Sequence, residues 1–394
     1  MQAPRSGFRM MQWLAQRFEL ARGERGHNVP PMEGLRGFAV FLVFLVHYVT
    51  FIDPWVAKPS ALHSFASTVH TIGNTGVDLF FVLSGYLIYG SLISRPQRFL
   101  RFMSRRVERI YPAFIAVFVL YVVLAFVFPM EGKLPATPLS RTVYLVENFL
   151  LLPGLVPIEP MITVAWSLSY EMFFYLAIPL VIAVLGLRQR SLAWRSTFFS
   201  TVAIAFVVFC AGYGGPVRMI MFISGILLYE VISGGVIRAP ADGVALSTLA
   251  VGLLVTLLPI PGSGGYSLKV VILFVAFFWL CFGCFGKAGG WLARGFAWTP
   301  LRWLGNMSYS YYLLHGLTLN AAFRSFALFV PAEERGPWFF AALLPCMFAV
   351  TLVPTTMLFL LVERPYSLAP RRAGTGTGLV SRRDPLEEQH GKSG

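Results

Sequence analysis

The sequence predicts an all-α integral membrane protein of about ten transmembrane helices, with both ends in the cytoplasm. Of its 394 residues, 56% are hydrophobic and only 13% are charged, and its mean hydropathy is +0.68. A soluble domain carries about 25% charged residues, and here the shortfall runs along the whole chain. The net charge of +14 lies in short clusters between apolar segments. That distribution is typical of membrane topology and headgroup contact, and it argues against nucleic-acid binding.

Ten segments are apolar enough to cross a bilayer, for which a helix needs about 20 residues. They lie near residues 37–53, 73–93, 110–129, 163–186, 197–213, 217–234, 243–260, 267–286, 305–329 and 338–362. The segment TVYLVENFLLLP (142–153) is too short to span and predicts a re-entrant or interfacial piece.

The basic residues support this count and its orientation. With the N-terminus inside, 25 of the 32 Lys and Arg residues fall in cytoplasmic segments, as the positive-inside rule requires. One span more or fewer in mid-chain would destroy this alternation. We therefore predict a cytoplasmic extension over 1–30, a ten-helix membrane domain over 31–368 and a disordered cytoplasmic tail over 369–394.

Two smaller features have ordinary interpretations. Apolar residues at helical spacing over 8–21 fit either a helix lying in the membrane interface or a frayed extension. All four cysteines lie inside apolar segments, including the pair Cys281 and Cys284. Packing explains that pair better than a redox or metal site, and we expect no metal.

Ionisable residues inside membrane spans are costly and rare, so each is a functional candidate. Four of them stand out: His47, Asp78, Glu171 and His315. His47 follows Arg36 by eleven residues, which on a helix is about 16 Å and close to three turns. Both side chains therefore share one face, with the guanidinium at the cytoplasmic mouth and the imidazole deep in the bundle. An imidazole there can serve as a general base, although a structural hydrogen bond is the alternative for each residue.

The two carboxylates allow more than one role. Asp78 lies at the outer end of the second span, where it would either orient the imidazole or cap the helix start. Glu171 lies among aromatic residues and would bind a substrate hydroxyl, partner a histidine or make a structural bond between helices. His315 is equally compatible with a substrate contact and with a core histidine. The candidate substrate-binding residues are Trp166, Ser169, Tyr170 and His315.

The second cytoplasmic loop, RPQRFLRFMSRRVERIYP (95–112), has six arginines in fifteen residues. Clustered guanidinium groups match phosphate geometry, and Arg101, Arg105 and Arg109 share a face at four-residue spacing. With an acid–base residue below them, they indicate a nucleotide-bearing thioester donor such as acyl-CoA. Contact with lipid headgroups is the alternative.

Together these segments resemble the bacterial acyltransferase-3 family of membrane O-acyltransferases. The correspondence runs in order through Arg36 with His47, GVDLFFVLSGYLI (76–88), RRVERIYP (105–112), WSLSYEMFFY (166–175), LGNMSYSYYLLH (304–315) and ERP (363–365). The resemblance implies transfer of an acyl group, usually acetyl, from acyl-CoA to a hydroxyl. Family acceptors include cell-surface glycans, lipid-linked sugars, Nod-type oligosaccharides and some macrolides. The chain is similar to the stand-alone type, without a C-terminal esterase-like domain, of the bacterial inner membrane.

The resemblance also implies site roles. It marks Arg36 and His47 as essential and the basic stretch as functionally important. We expect acyl-CoA to bind a donor set formed by Arg36, Arg105, Arg106 and Arg109. His47 would deprotonate an acceptor hydroxyl, helped by Asp78 or Glu171; a covalent acyl-histidine is the alternative chemistry. The rival function is a transporter or flippase for a glycan or lipid.

Overall fold

Apolar helices dominate the computed structural model, which describes residues 5–20, 30–128, 134–287 and 289–368. The helices are α1 (Arg5–Phe18), α2 (Pro30–Ile52), α3 (Ala61–Gly73), α4 (Thr75–Ser94), α5 (Phe99–Val127), α6 (Pro138–Phe149), α7 (Trp166–Val184), α8 (Leu192–Tyr213), α9 (Ile220–Gly234), α10 (Asp242–Thr256), α11 (Gly262–Phe285), α12 (Trp291–Phe296), α13 (Thr299–Asn306), α14 (Ser308–Ala327) and α15 (Pro337–Leu358). A π-helix, Phe359–Ser367, continues α15. The predicted all-α membrane class is confirmed.

Within the described residues, eight helical segments are long and apolar enough to cross a membrane. They are Pro30–Trp55, Ala61–Ser94, Phe99–Val127, Thr163–Val184, Leu192–Tyr213, Val217–Gly234, Gly262–Phe285 and Pro337–Ser367. The other two predicted spans form α10, which has 15 residues, and α14, which has 20. The count of ten and the inside location of both ends stay predictions.

Close backbone packing positions α2, the helix that carries Arg36 and His47. A Cβ added at Gly37 of α2 or at Gly305 of α13 would lie 2.0 Å or 1.7 Å from a facing backbone carbonyl oxygen. At the crossing of α4 and α9, Gly85 and Gly225 meet facing carbonyls at 2.1 Å and 2.0 Å in the same way. Small residues at such crossings let membrane helices approach closely, where van der Waals packing holds them. Both crossings should therefore be intolerant of any side chain.

Part of the N-terminal segment, Arg5–Phe18, forms helix α1, and its location in the membrane interface stays a prediction. The ring of Phe18, at the end of α1, stacks on Trp303 and Phe359 at centroid distances of 5.8 Å and 5.9 Å. The Asn306 side-chain amide donates to the Phe18 carbonyl oxygen over 3.0 Å. The end of α1 is thereby docked on the bundle.

The remaining predicted regions are placed as follows. The segment predicted over 142–153 falls largely in α6, whose 12 residues are too few to cross a bilayer. Cys281 and Cys284 are buried in α11 without a disulfide. The predicted tail, 369–394, lies outside the described residues, as do 1–4 and 21–29 of the predicted extension.

Candidate active site

Helices α2 and α14 bring two histidines together from opposite ends of the sequence. Nε2 of His315 lies 3.2 Å from Nδ1 of His47, across 268 residues of chain. The two rings meet edge to face, with centroids 4.7 Å apart. His315 is fully buried, whereas His47 is half-buried. The two groups that the sequence singled out separately therefore form one pair.

Backbone carbonyls fix where the protons of this pair lie. Nδ1 of His315 is 2.8 Å from the carbonyl oxygen of Tyr311, which can only accept, so this nitrogen carries the proton. In the neutral ring, Nε2 of His315 is then an acceptor facing His47. Nδ1 of His47 faces that acceptor and, at 3.0 Å, the carbonyl oxygen of Val43. It must therefore be protonated, which leaves the lone pair of neutral His47 on Nε2.

Arg36 and His47 face the same neighbour, as their spacing predicts. Nε and an Nη of Arg36 lie 3.3 Å and 3.2 Å from Oγ of Ser308, the first residue of α14. His47 meets α14 two turns further along, at His315. The two helices thus run in the same direction and hold an arginine and a histidine pair along one seam.

Three arginines and one carboxylate line a cavity of about 90 Å³ beside this seam. The charged lining residues are Arg36, Arg106, Arg109 and Glu171. We call this the arginine cavity. The Arg106 guanidinium lies over the rings of Phe102 and Tyr175, at 5.2 Å and 5.7 Å. Its buried Nε has no hydrogen-bond partner among the described residues.

Glu363 holds one wall of the arginine cavity. This fully buried carboxylate accepts from Nη1 of Arg109 at 2.6 Å. Its other oxygen accepts from the backbone N–H and hydroxyl of Ser310, at 3.1 Å and 2.5 Å. The π-helix carries Glu363, and such helices often occur at functional sites. In the sequence analysis this residue appears only as part of the ERP motif. Its position as a lone carboxylate at the end of an apolar span is the signal that could have identified it as a candidate.

Glu171 lies in the arginine cavity and not beside the histidines. It accepts from the hydroxyls of Ser84 at 2.8 Å and Tyr175 at 2.5 Å. Its carboxylate is therefore placed to bind a hydroxyl or an amide of a ligand that enters the cavity. The predicted partnership with a histidine does not form here.

Asp78 forms a separate ion pair with a residue that the sequence analysis did not consider. Its two oxygens accept from Nε and Nη2 of Arg218, at 2.7 Å and 3.0 Å. The same guanidinium donates to the Asn74 carbonyl oxygen and lies 5.2 Å from the ring of Trp166. Asp78 thus joins α4 to the short segment just before α9, and its hydrogen bonds go to Arg218 instead of His47. We call Asp78, Arg218 and Trp166 the outer cluster.

The other predicted site residues are divided between locations. Tyr170 packs against Trp166 at 5.5 Å, next to the outer cluster. Ser169 is fully buried, with its hydroxyl 3.4 Å from the Ala165 carbonyl oxygen. Arg105 is exposed, is not part of the cavity lining and donates to the side chain of Gln97. Within the described residues, no group of three or more His, Cys, Asp and Glu could hold a metal ion.

Known proteins share this sequence pattern over most of its length. The chain is 27% identical to the acyltransferase MdmB of Streptomyces mycarofaciens over 380 residues, which cover 86% of this chain and 91% of that protein. It is 26% identical over 321 residues to the O-acetyltransferase OatA of Staphylococcus aureus, covering 73% of this chain and 50% of that protein. No solved structure matches the chain significantly. The model of the acyltransferase-3 family, described as an acyltransferase domain, matches residues 31–356. The chain therefore belongs to the acyltransferase-3 family.

Proposed function

We propose that this protein transfers an acyl group, most simply acetyl, from cytoplasmic acyl-CoA to a hydroxyl of a cell-surface or lipid-linked carbohydrate. The observation that carries the proposal is the histidine pair, which keeps a lone pair on Nε2 of His47. That base lies on the same helix as Arg36, which lines the arginine cavity. One helix would thus connect a site for an anionic donor to a site for proton transfer. We place the protein in the bacterial inner membrane.

The arginine cavity supports a donor that carries phosphate. Among the described residues, three guanidinium groups face two carboxylates, Glu171 in the lining and Glu363 beside Arg109, so positive charge is in excess by one. Guanidinium geometry suits phosphate oxygens. At about 90 Å³ the cavity has the volume of roughly three water molecules. It would admit one phosphate-sized group or a short part of the pantetheine arm. The rest of the nucleotide would lie outside the cavity.

The histidine pair supports the chemical step. Nε2 of His47 would take the proton of the acceptor hydroxyl while that oxygen attacks the thioester carbonyl carbon. The carbon–sulfur bond would then break, and the proton would pass from His47 to the leaving thiolate. During the step, Nδ1–H of the imidazolium would still face two acceptors, the Val43 carbonyl and His315, which stabilise its charge. A covalent acyl-histidine would use the same lone pair, and trapping of an acylated enzyme distinguishes the two routes.

The name of the similar O-acetyltransferase OatA supports acetyl as the acyl group and oxygen as the acceptor atom. The carbohydrate is supported by the aromatic rings beside Arg218, Trp166 and Tyr170, which offer the apolar faces and polar groups typical of sugar sites. A macrolide-like small molecule is the alternative acceptor.

Release of free CoA thiol from acetyl-CoA tests the proposal. Purified wild-type protein should release thiol only when a suitable acceptor is present, and His47→Gln should lower the rate by ~10²–10⁴-fold. His63→Gln, which changes a histidine of α3 whose side chain is 42% exposed and lies 3.8 Å from Asp53, is the matched control and should keep wild-type turnover. A transporter or flippase would leave the thioester intact with every acceptor, and that result would overturn the proposal.

A further inference from the structure

A groove of about 440 Å³ opens on the lateral surface of the protein, apart from the arginine cavity. Its floor and walls come mainly from α5 and α7, including Phe99, Phe102, Leu176 and Leu180. Gln97 and Arg188 also line it. We call it the lateral groove. Its volume lies within the range of about 300–1,000 Å³ that is typical of ligand pockets, and its lining suits a hydrocarbon chain.

A basic segment of the chain borders the lateral groove. Exposed Arg95, Arg98 and Arg101 lie in the short chain segment that contains the lining residues Gln97 and Phe99. Arg188 donates from Nε and Nη2 to the Leu92 carbonyl oxygen, at 3.1 Å and 2.8 Å. Within the described part of the chain, no carboxylate lies within 4.0 Å of any of these four guanidinium groups.

Other arginines of this protein have carboxylate partners. Arg109, Arg195 and Arg218 each pair with a buried carboxylate, at 2.6–2.7 Å. The cations at the groove thus lack the protein counter-charge that arginines packed into the bundle have. In a membrane protein, acidic lipid headgroups are one source of such a counter-charge.

We infer that the lateral groove binds one anionic phospholipid, with an acyl chain along Phe99, Leu176 and Leu180 and the headgroup phosphate among the arginines. Basic pockets between transmembrane helices are suited to acidic headgroups, and each Lys or Arg near the membrane surface adds to the attraction. A zwitterionic lipid would fill the apolar part equally well but would gain less from the arginines. Charge complementarity therefore selects the anionic lipid. This inference does not depend on the proposed acyl transfer.

The groove also adjoins the site. The Phe102 ring lines the lateral groove and lies 5.2 Å from the Arg106 guanidinium of the arginine cavity. A lipid chain in the groove would therefore pack against the ring that supports Arg106.

Native mass spectrometry of the full-length, detergent-purified protein tests the inference. The probes are phosphatidylglycerol and phosphatidylethanolamine with identical acyl chains, added at increasing concentration. The first phosphatidylglycerol should bind at least fivefold more tightly than the first phosphatidylethanolamine. Arg98→Gln with Arg101→Gln should weaken the first phosphatidylglycerol by roughly tenfold or more, since two headgroup contacts are lost. The double variant Arg238→Gln with Arg294→Gln removes the same charge at exposed positions off the groove and should leave it unchanged.

A second variant tests the apolar part without changing charge. Ala183 lines the groove, so the larger side chain in Ala183→Trp should fill it. This should abolish the selective binding of the first phosphatidylglycerol. Equal binding of the two lipids by wild-type protein would overturn the inference, as would equal losses in the groove and control double variants. Selective binding that persists in Ala183→Trp would also overturn it.

Discussion

The arginine cavity and the outer cluster are built from the same residue types but differ in charge balance. In the outer cluster, one guanidinium meets one carboxylate through two hydrogen bonds, at 2.7 Å and 3.0 Å. In the arginine cavity, three guanidinium groups share the lining with one carboxylate. One of them, Arg109, is paired with Glu363, which lies outside the lining. A balanced pair in a membrane protein serves structure, because its charges are already compensated. An excess of one charge beside a cavity indicates a ligand of the opposite charge.

The largest effect that tests this comparison is expected in the outer cluster. Asp78→Asn would leave Arg218 buried without its counter-charge, which costs about 3–5 kcal/mol when a buried pair is broken. We expect a clear fall in the thermal unfolding temperature in detergent. Asp53→Asn, which breaks an exposed pair with Lys58, should cost under about 1 kcal/mol. Wild-type stability of Asp78→Asn combined with lost transfer would instead place this carboxylate in the chemistry.

The next largest effect compares substitutions on the inner face and on the exposed face of α5. Arg106→Gln removes a charged donor from the cavity, where hydrogen bonds to charged groups are worth about 1.5–3 kcal/mol. The KM for acetyl-CoA should rise by roughly 10–100-fold in steady-state thiol release. Arg105→Gln, one residue away but exposed, should change it less than about threefold. Equal effects of the two substitutions would mean that the donor binds at the surface and not in the cavity.

A smaller effect is expected for the partner of the proposed base. His315→Gln keeps a hydrogen-bonding side chain but loses the imidazole acceptor behind His47. We expect kcat to fall about tenfold with little change in the KM for acetyl-CoA, because one hydrogen bond to a charged group is weakened. A positioning role predicts this split between the two constants. A rise in KM with unchanged kcat would show instead that His315 contacts the donor.

Sequence reasoning reached the features that depend on local periodicity. The eleven-residue spacing of Arg36 and His47 predicts a common face, and both residues contact α14. The apolar run lengths predict the helices. They also predict α10 and α14 as spans, although α10 has only 15 residues and α14 is rich in polar side chains.

Pairing between distant helices could not be read in this way. The partners Arg109 with Glu363 and Asp78 with Arg218 are 254 and 140 residues apart, and no local pattern fixes which helices are neighbours. The sequence does contain a signal for which of Arg105 and Arg106 lies on the buried face of α5. Phe102 and Ile110 are buried and lie four residues on either side of Arg106, so the apolar face of α5 contains Arg106 and leaves Arg105 outside.

The most direct test of the central claim measures donor affinity and transfer in the same His47→Gln preparation. The claim is that α2 separates donor binding, at Arg36, from chemistry, at His47. Titration with a non-transferable acyl-CoA analogue should give a Kd within about twofold of wild type, while single-turnover transfer from labelled acetyl-CoA falls by at least about 100-fold. Transfer within tenfold of wild type, or a loss of donor affinity that accounts for the lost transfer, would contradict the claim.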